Sequence, residues 1–271
     1  MSIMEPKRRN TNLFKRILYR VRRQPRGQSF VELMLVVMFL ALLLAGVVEY
    51  GFMLNQYLHV LDGAREAARY AASSSTGPFI VNPDGSLETS PPPNGPGPII
   101  DNMPFYYYTA AKAGSTMVPV ELIPGLSPTS PDDIIISVFS VTTGNLPVRF
   151  PLADPQGWSL CKDYAGFVAF FNGMSLPVPT QLSDSSWNSC GTNARVSQFS
   201  SAEIQSRLNG SAPNTGVILV EIYYNYPQLL KLLSNNGFMG VTYSILPDPV
   251  PLYVYTIMPI SAAEPTQVPT P

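Results

Sequence analysis

The pattern of hydrophobic and polar positions changes period along this chain. From Leu33 to Val48 no residue carries a charge. That run is slightly short of the roughly 20 residues that cross a bilayer core. Phe30, Val31, Tyr50, Phe52, Met53 and Leu54 extend it, provided that Glu32 and Glu49 sit at the two interfaces. The apolar positions then become periodic: Leu54, Tyr57, Leu61, Ala64, Ala68 and Ala71 recur three and four apart. Asn55, His59, Asp62, Glu66 and Arg69 do the same on another face, the signature of an amphipathic helix. Asp62 with Arg65 and Glu66 with Arg69 add modest support as opposite charges three apart. No proline stands between Pro25 and Pro78. The pattern therefore predicts one helix from about Gln28 to about Ala72, roughly 65–70 Å long at 1.5 Å per residue. Its first part, to about residue 54, suits lipid. Gly46, Gly51 and Gly63 weaken it by about 1 kcal/mol each relative to alanine, and Ala41, Ala45 and Gly46 allow close helix approach within a membrane.

After the helix, residues 73–104 are rich in Pro, Gly and Ser and form a linker or a long excursion. An aromatic cluster, Phe105 to Tyr108, follows; it can be buried packing or a glycan-binding face, and packing is the expectation. Three segments read as strands: 133–141 (DIIISVFSV), 217–226 (VILVEIYYNY) and 251–260 (PLYVYTIMPI), all rich in β-branched and aromatic residues. In the second, Ile218, Val220, Ile222, Tyr224 and Tyr226 share one face and Glu221 and Asn225 the other, which predicts a half-buried antiparallel sheet. An insertion of about 75 residues separates the first two strands. It holds both cysteines, Trp158, Trp187 and a short helix at SSAEIQSRL. PQLLKLLSNNG, after Tyr226, is expected to form another helix ending at Gly237. The fold class is α+β: a long transmembrane and amphipathic helix packed on a small antiparallel sheet, with long Pro/Gly-rich loops. The expected organisation is a basic leader (1–27), the helix (28–72), the linker (73–104) and a β-rich domain (105–271).

Charge orients this arrangement. Nine of the 17 basic residues precede Gly27, with Glu5 the only acid there, whereas the chain beyond Ala72 holds six basic and 13 acidic residues. A basic head abutting an apolar run predicts a cytoplasmic N-terminus and an outer C-terminal domain. No nucleic-acid-binding motif accompanies the charge, so nucleic acid is not an expected partner. A cleaved secretory signal is disfavoured as well, because no small-x-small site follows the run. Both cysteines, Cys161 and Cys190, fall in the outer segment, where a disulfide persists; spacing leaves open the alternative of two free thiols.

Catalytic chemistry is sparsely represented. His59 is the single histidine and has no neighbouring ligands for a His-rich metal site. The GMS at 173–175 is not a nucleophile elbow, and no phosphate-cradling glycine loop occurs. Asp132 and Asp133 form a carboxylate pair without the ligand spacing of a calcium loop. Neither an enzymatic activity nor a cofactor or metal is expected.

The junction RGQSFVELMLV places Glu32 fifth after Gly27, between the basic leader and the apolar helix. It resembles the processing site of type IV prepilins and pseudopilins. Together with GVVEYGFMLNQYLHVLDGAREAARYAA, it is similar to the TadE-like family of tight-adherence (Flp-type) pilus assembly proteins. Glu49, Tyr50, Gly51, Arg65, Ala67, Ala68, Arg69, Tyr70, Ala71 and Ala72 carry that resemblance. It implies cleavage between Gly27 and Gln28 by a prepilin peptidase, in a protein spanning the cytoplasmic membrane once and able to enter an extracellular pilus. Membrane lipid, other pilin or pseudopilin subunits and the pilus assembly machinery are the implied partners. Glu32 would meet the new α-amino group of a neighbouring subunit; the alternative is a negative charge favoured at a helix start. Glu49 marks the outer interface, pairs with a partner helix or is simply solvated, and Arg65 and Arg69 either dock an assembly partner or form a solvated face. The alternative function is a signal-anchored surface adhesin or ligand-binding protein.

Overall fold

A computed structural model of the chain describes residues 28–74, 77–78, 102–117, 132–141, 147–151, 156–183, 185–188, 190, 195–208, 215–228 and 249–261. Helix α1 runs without interruption from Gln28 to Ser73. The chain divides within it into two compact units, Met1–Tyr50 and Gly51–Pro271. In the second unit the buried positions of α1 are Gln56, Val60, Gly63, Ala64, Ala67, Ala68 and Ala71, the three- and four-residue recurrence of a helix face. Leu54, expected on this face, is exposed, while Tyr57 and Leu61 flank it half-buried. The face is made of small residues because another helix lies close. A Cβ on Gly63 would come within 2.9 Å of Met117 Cγ and 3.0 Å of the Ala113 carbonyl oxygen. Gly63 thus weakens α1 locally and permits its packing.

Helix α2, Met103–Thr116, supplies that neighbour. Pro104 opens it in the first turn, where the missing N–H has no intrahelical partner to lose. Asn102 donates its backbone N–H to Pro78 (2.9 Å) and its side-chain amide to Gly77 (2.8 Å). The segment 79–101 lies outside the described residues; these bonds join the residues on either side of it, Gly77 and Pro78 to Asn102. Phe105, Tyr106 and Tyr107 are buried, with ring contacts to Trp158 and to Phe167 and Phe170 of helix α3, Tyr164–Gly173. This cluster is packing.

The sheet has strands β1 (Asp133–Val141), β2 (Val148–Phe150), β3 (Trp158–Ser159), β4 (Thr215–Tyr226) and β5 (Val250–Pro259). All pairings are antiparallel, in the order β2–β1–β4–β5, with β3 beside β1 on the edge that β2 also uses. Gly157 sits between β2 and β3 at φ +92°, and a Cβ there would strike Ser137 Oγ. Only glycine combines that backbone conformation with so close an approach.

Register explains why the sheet has two cores. Ile134, Ile136 and Val138 stand opposite Ile222, Val220 and Ile218. They share one apolar cluster with Val60, Ala64, Ala67 and Ala68 of α1. The alternate residues Phe139, Val217 and Leu219 form a second cluster with Phe199 and with Ile204 of helix α4, Ser201–Arg207. Every residue of β1 is buried. In β4 this corrects the expectation of a half-buried sheet, since Glu221 is fully buried and Asn225 nearly so, whereas β5 is mostly half-buried or exposed. Helix α4 falls in the expected SSAEIQSRL segment, and Ser200 caps it by accepting the Glu203 N–H at 3.1 Å. The PQLLKLLSNNG segment lies almost wholly outside the described residues.

Candidate functional site: the apolar helix and the acids of the sheet

Large apolar side chains of α1 stand open from Phe30 onward, Leu35 at 65 % exposure and Val47 at 68 %. Burying one such side chain is worth about 1.5–3 kcal/mol. A contiguous surface of this kind belongs against lipid or protein. By length and composition the helix is able to cross a membrane. Glu32 is exposed within its second turn, and Glu49 is half-buried near the far end of the apolar run. Gly27 lies outside the described residues, and Gln28 is the first residue of the helix.

Beyond the run, Arg65 pairs with Asp62 and Arg69 with Glu66, each at 3.4 Å and largely exposed. Such pairs are worth a few tenths of a kcal/mol. Both arginines point away from the alanine face, so their charge is spent on neither the core nor a strong internal bond. Cys161 and Cys190 form a disulfide with Cα atoms 5.7 Å apart, inside the usual range.

The sheet holds buried acids: Asp132 and Asp133 at the start of β1, and Glu221, which the alternation of β4 placed on its polar face. Asp132 accepts both the backbone and the side-chain N–H of Asn225 at 2.8 Å. Asp133 accepts the Ser159 hydroxyl at 2.7 Å and the Cys161 N–H at 3.0 Å. The adjacent carboxylates therefore serve separate partners. Burial pushes Asp133 up to about 7, against the pull of those two hydrogen bonds and the Arg195 charge. Glu221 is likewise raised by burial, while it accepts the Gln198 N–H and the Tyr253 hydroxyl, each at 2.8 Å. Burial and the neighbouring Glu221 charge both push Tyr253 upward. These acids tie loops to strands. The role of Glu221 was invisible in the strand pattern because its cover, Ser197–Phe199, comes from far along the insertion.

A helix of membrane length leading into a disulfide-bearing α+β domain fits a protein anchored in a membrane by a single pass. Residues 27–69, the junction glycine and α1 as far as its second ion pair, match the model of the family described as TadE-like protein. This TadE-like segment suggests a component related to the tight-adherence pilus and implies association with its assembly machinery. No curated protein and no solved structure matches the chain.

Proposed function

We propose that the chain is a pseudopilin-like structural or assembly component of a tight-adherence pilus, with a structural rather than catalytic role. It is inserted in the cytoplasmic membrane with the basic leader inside and the sheet domain outside. A prepilin peptidase cuts it after Gly27, leaving Gln28 as the new N-terminus. The observation that carries this reading is the coincidence of three features in one stretch of sequence: the Gly27–Glu32 spacing, the open apolar surface of α1, and the TadE-like match across residues 27–69.

Glu32 then has a defined task. Cleavage creates a positive α-amino group, and Glu32 of an adjoining subunit lies at the same depth to receive it. Opposite charges about 4 Å apart attract by roughly 4 kcal/mol at an effective dielectric of 20. Removing one member of a buried pair costs about 3–5 kcal/mol. The pair sets the register between helices that apolar packing alone leaves free to slide. Arg65 and Arg69, on the solvated side of the same helix, offer charge to other subunits or to the assembly machinery.

Mass spectrometry of the protein from its native membrane tests the reading. A mature N-terminus at Gln28 is expected. An intact start at Met1 or Ser2 would overturn the processing step and favour a signal-anchored surface protein.

A further inference from the structure

The second face of the sheet carries an open groove of about 590 Å³ over β4, β5 and the segment leading into α4. Four rings line it in a row. Phe199 and Tyr255 are 4.8 Å apart, Tyr255 and Tyr253 6.0 Å, and Tyr253 and Tyr223 4.9 Å. Tyr255 and Tyr253 are tilted 30° to one another and Tyr253 and Tyr223 39°, so the row is a run of offset, partly stacked rings. Tyr255 is 41 % exposed and Tyr253 half-buried, whereas Phe199 and Tyr223 are buried. A guanidinium marks each end: Arg207 lies 4.5 Å over Phe199, and Arg195 lies 5.5 Å over Tyr223. Stacking holds these cations in place. Arg207 also pairs with Glu203 at 2.9 Å in an exposed contact. Arg195 Nε is buried and has no hydrogen-bond acceptor among the described residues.

We propose that this groove binds an acidic oligosaccharide whose sugar rings rest on Tyr253 and Tyr255 while carboxylates meet Arg195 and Arg207. A pyranose presents an apolar C–H face that is attracted to the negative face of an aromatic ring. A carboxylate matches the guanidinium fork. The volume is that of a ligand site. Sparse charge is what the groove accommodates: it offers two arginines at its ends within a region, beyond Ala72, that has 13 acidic and six basic residues. Duplex DNA carries one charge per roughly 1.7 Å of helix axis, and such a dense polyanion meets net repulsion here. The lining has Leu252 as its one aliphatic side chain apart from Pro251, so its apolar contact is aromatic, which suits a pyranose C–H face; an acidic peptide is the competitor that the test includes. The glycan-binding role weighed for Phe105–Tyr108 thus falls to a different set of rings.

Binding in this groove is read on the purified full chain in detergent and is separate from whether the leader is cleaved or a pilus forms. Isothermal titration at low salt would use a hexameric oligouronate, a neutral glucose hexasaccharide, a single-stranded oligonucleotide and an acidic peptide. The oligouronate is expected to bind at least tenfold more tightly than the other three. Tyr255→Ala and Arg207→Gln are both at exposed positions, and each is expected to weaken it about tenfold or more with unchanged thermal melting. Arg195→Lys keeps the charge but loses the fork and is expected to weaken binding by a smaller factor. Absence of oligouronate binding, equal binding of the neutral sugar, preference for the nucleic acid or peptide, or undiminished binding by folded variants would each overturn the proposal.

Discussion

Asp133→Asn offers a direct test of how the sheet is held to the disulfide-bearing turn. Asp133 is fully buried at the start of β1. Desolvation raises its carboxyl to about 7, from an ordinary value of 3.8. The folded state therefore binds this proton more tightly than the unfolded state does. For such a raised acid, the stabilisation is complete below the unfolded value. It is lost as pH rises towards the folded value, so stability should decline between about pH 4 and pH 7 through this group. One pKa unit corresponds to about 1.4 kcal/mol, so the difference amounts to on the order of 4 kcal/mol as an upper bound. For a chain of this size that corresponds to a melting shift of roughly 10 °C.

The asparagine can keep both contacts without ionising. Its carbonyl accepts the Cys161 N–H and its amide donates to Ser159 Oγ, which already accepts the Lys162 N–H. Urea unfolding of the full chain in detergent, disulfide intact, can be followed by Trp158 and Trp187, both buried in this region. The parent should lose stability from pH 4 to pH 7, with Glu221, raised in the same direction, adding to the slope. Asp133→Asn should flatten most of that slope and be the more stable protein near pH 7.5. Parallel slopes for parent and variant, or a parent that gains stability as pH rises across this window, would refute the assignment of a buried, proton-holding Asp133.

Other changes probe the helix and the cross-link. Gly63→Leu forces a side chain into Met117 Cγ and the Ala113 carbonyl and should destabilise the α1–α2 packing by about 1–3 kcal/mol in the same urea assay. Replacing Cys161 and Cys190 with serine releases a loop of sequence separation 29. It should cost about 3–4 kcal/mol, and the difference should vanish when the parent is measured under reducing conditions. Glu32→Ala should insert in the native membrane in normal amounts yet assemble poorly, scored as surface piliation against membrane content; normal piliation would remove the role given to Glu32.

The fold was legible where one local pattern dominated. The β-branched run at β1 marks Asp133–Val141 to the residue, and the second and third predicted strands lie within two residues of β4 and β5. The long helix follows from the absence of proline across an apolar run that passes directly into a three- and four-residue recurrence. The shorter pieces have no such signature. Strands β2 and β3 have three and two residues, too few for alternation to show, and they form because β1 has an edge to fill. Helix α2 begins with consecutive aromatics that favour strands by propensity; its packing on the Gly63 face overrides that preference. Helix α3 is apolar almost throughout, so its buried pair Phe167 and Phe171 cannot be picked out by period.

Sidedness is the deeper reason why sites and strands differed in legibility. Alternation in β4 separates Ile218, Val220 and Ile222 from Glu221 and Asn225, and the structure keeps that separation. What alternation cannot convey is what lies above each face. The insertion returns Phe199 and Ile204 over the polar-looking side, and this changes Glu221 from a solvated acid into a buried anchor for Gln198 and Tyr253. The same return brings Arg195 and Arg207 to the ends of a row of rings. Of that row, only the Tyr253–Tyr255 spacing is visible in the strand itself. Glu32 is the opposite case: its place in the second turn of α1 follows from counting residues, so it was legible before any fold was known, whereas the groove exists only once the chain has closed over the sheet.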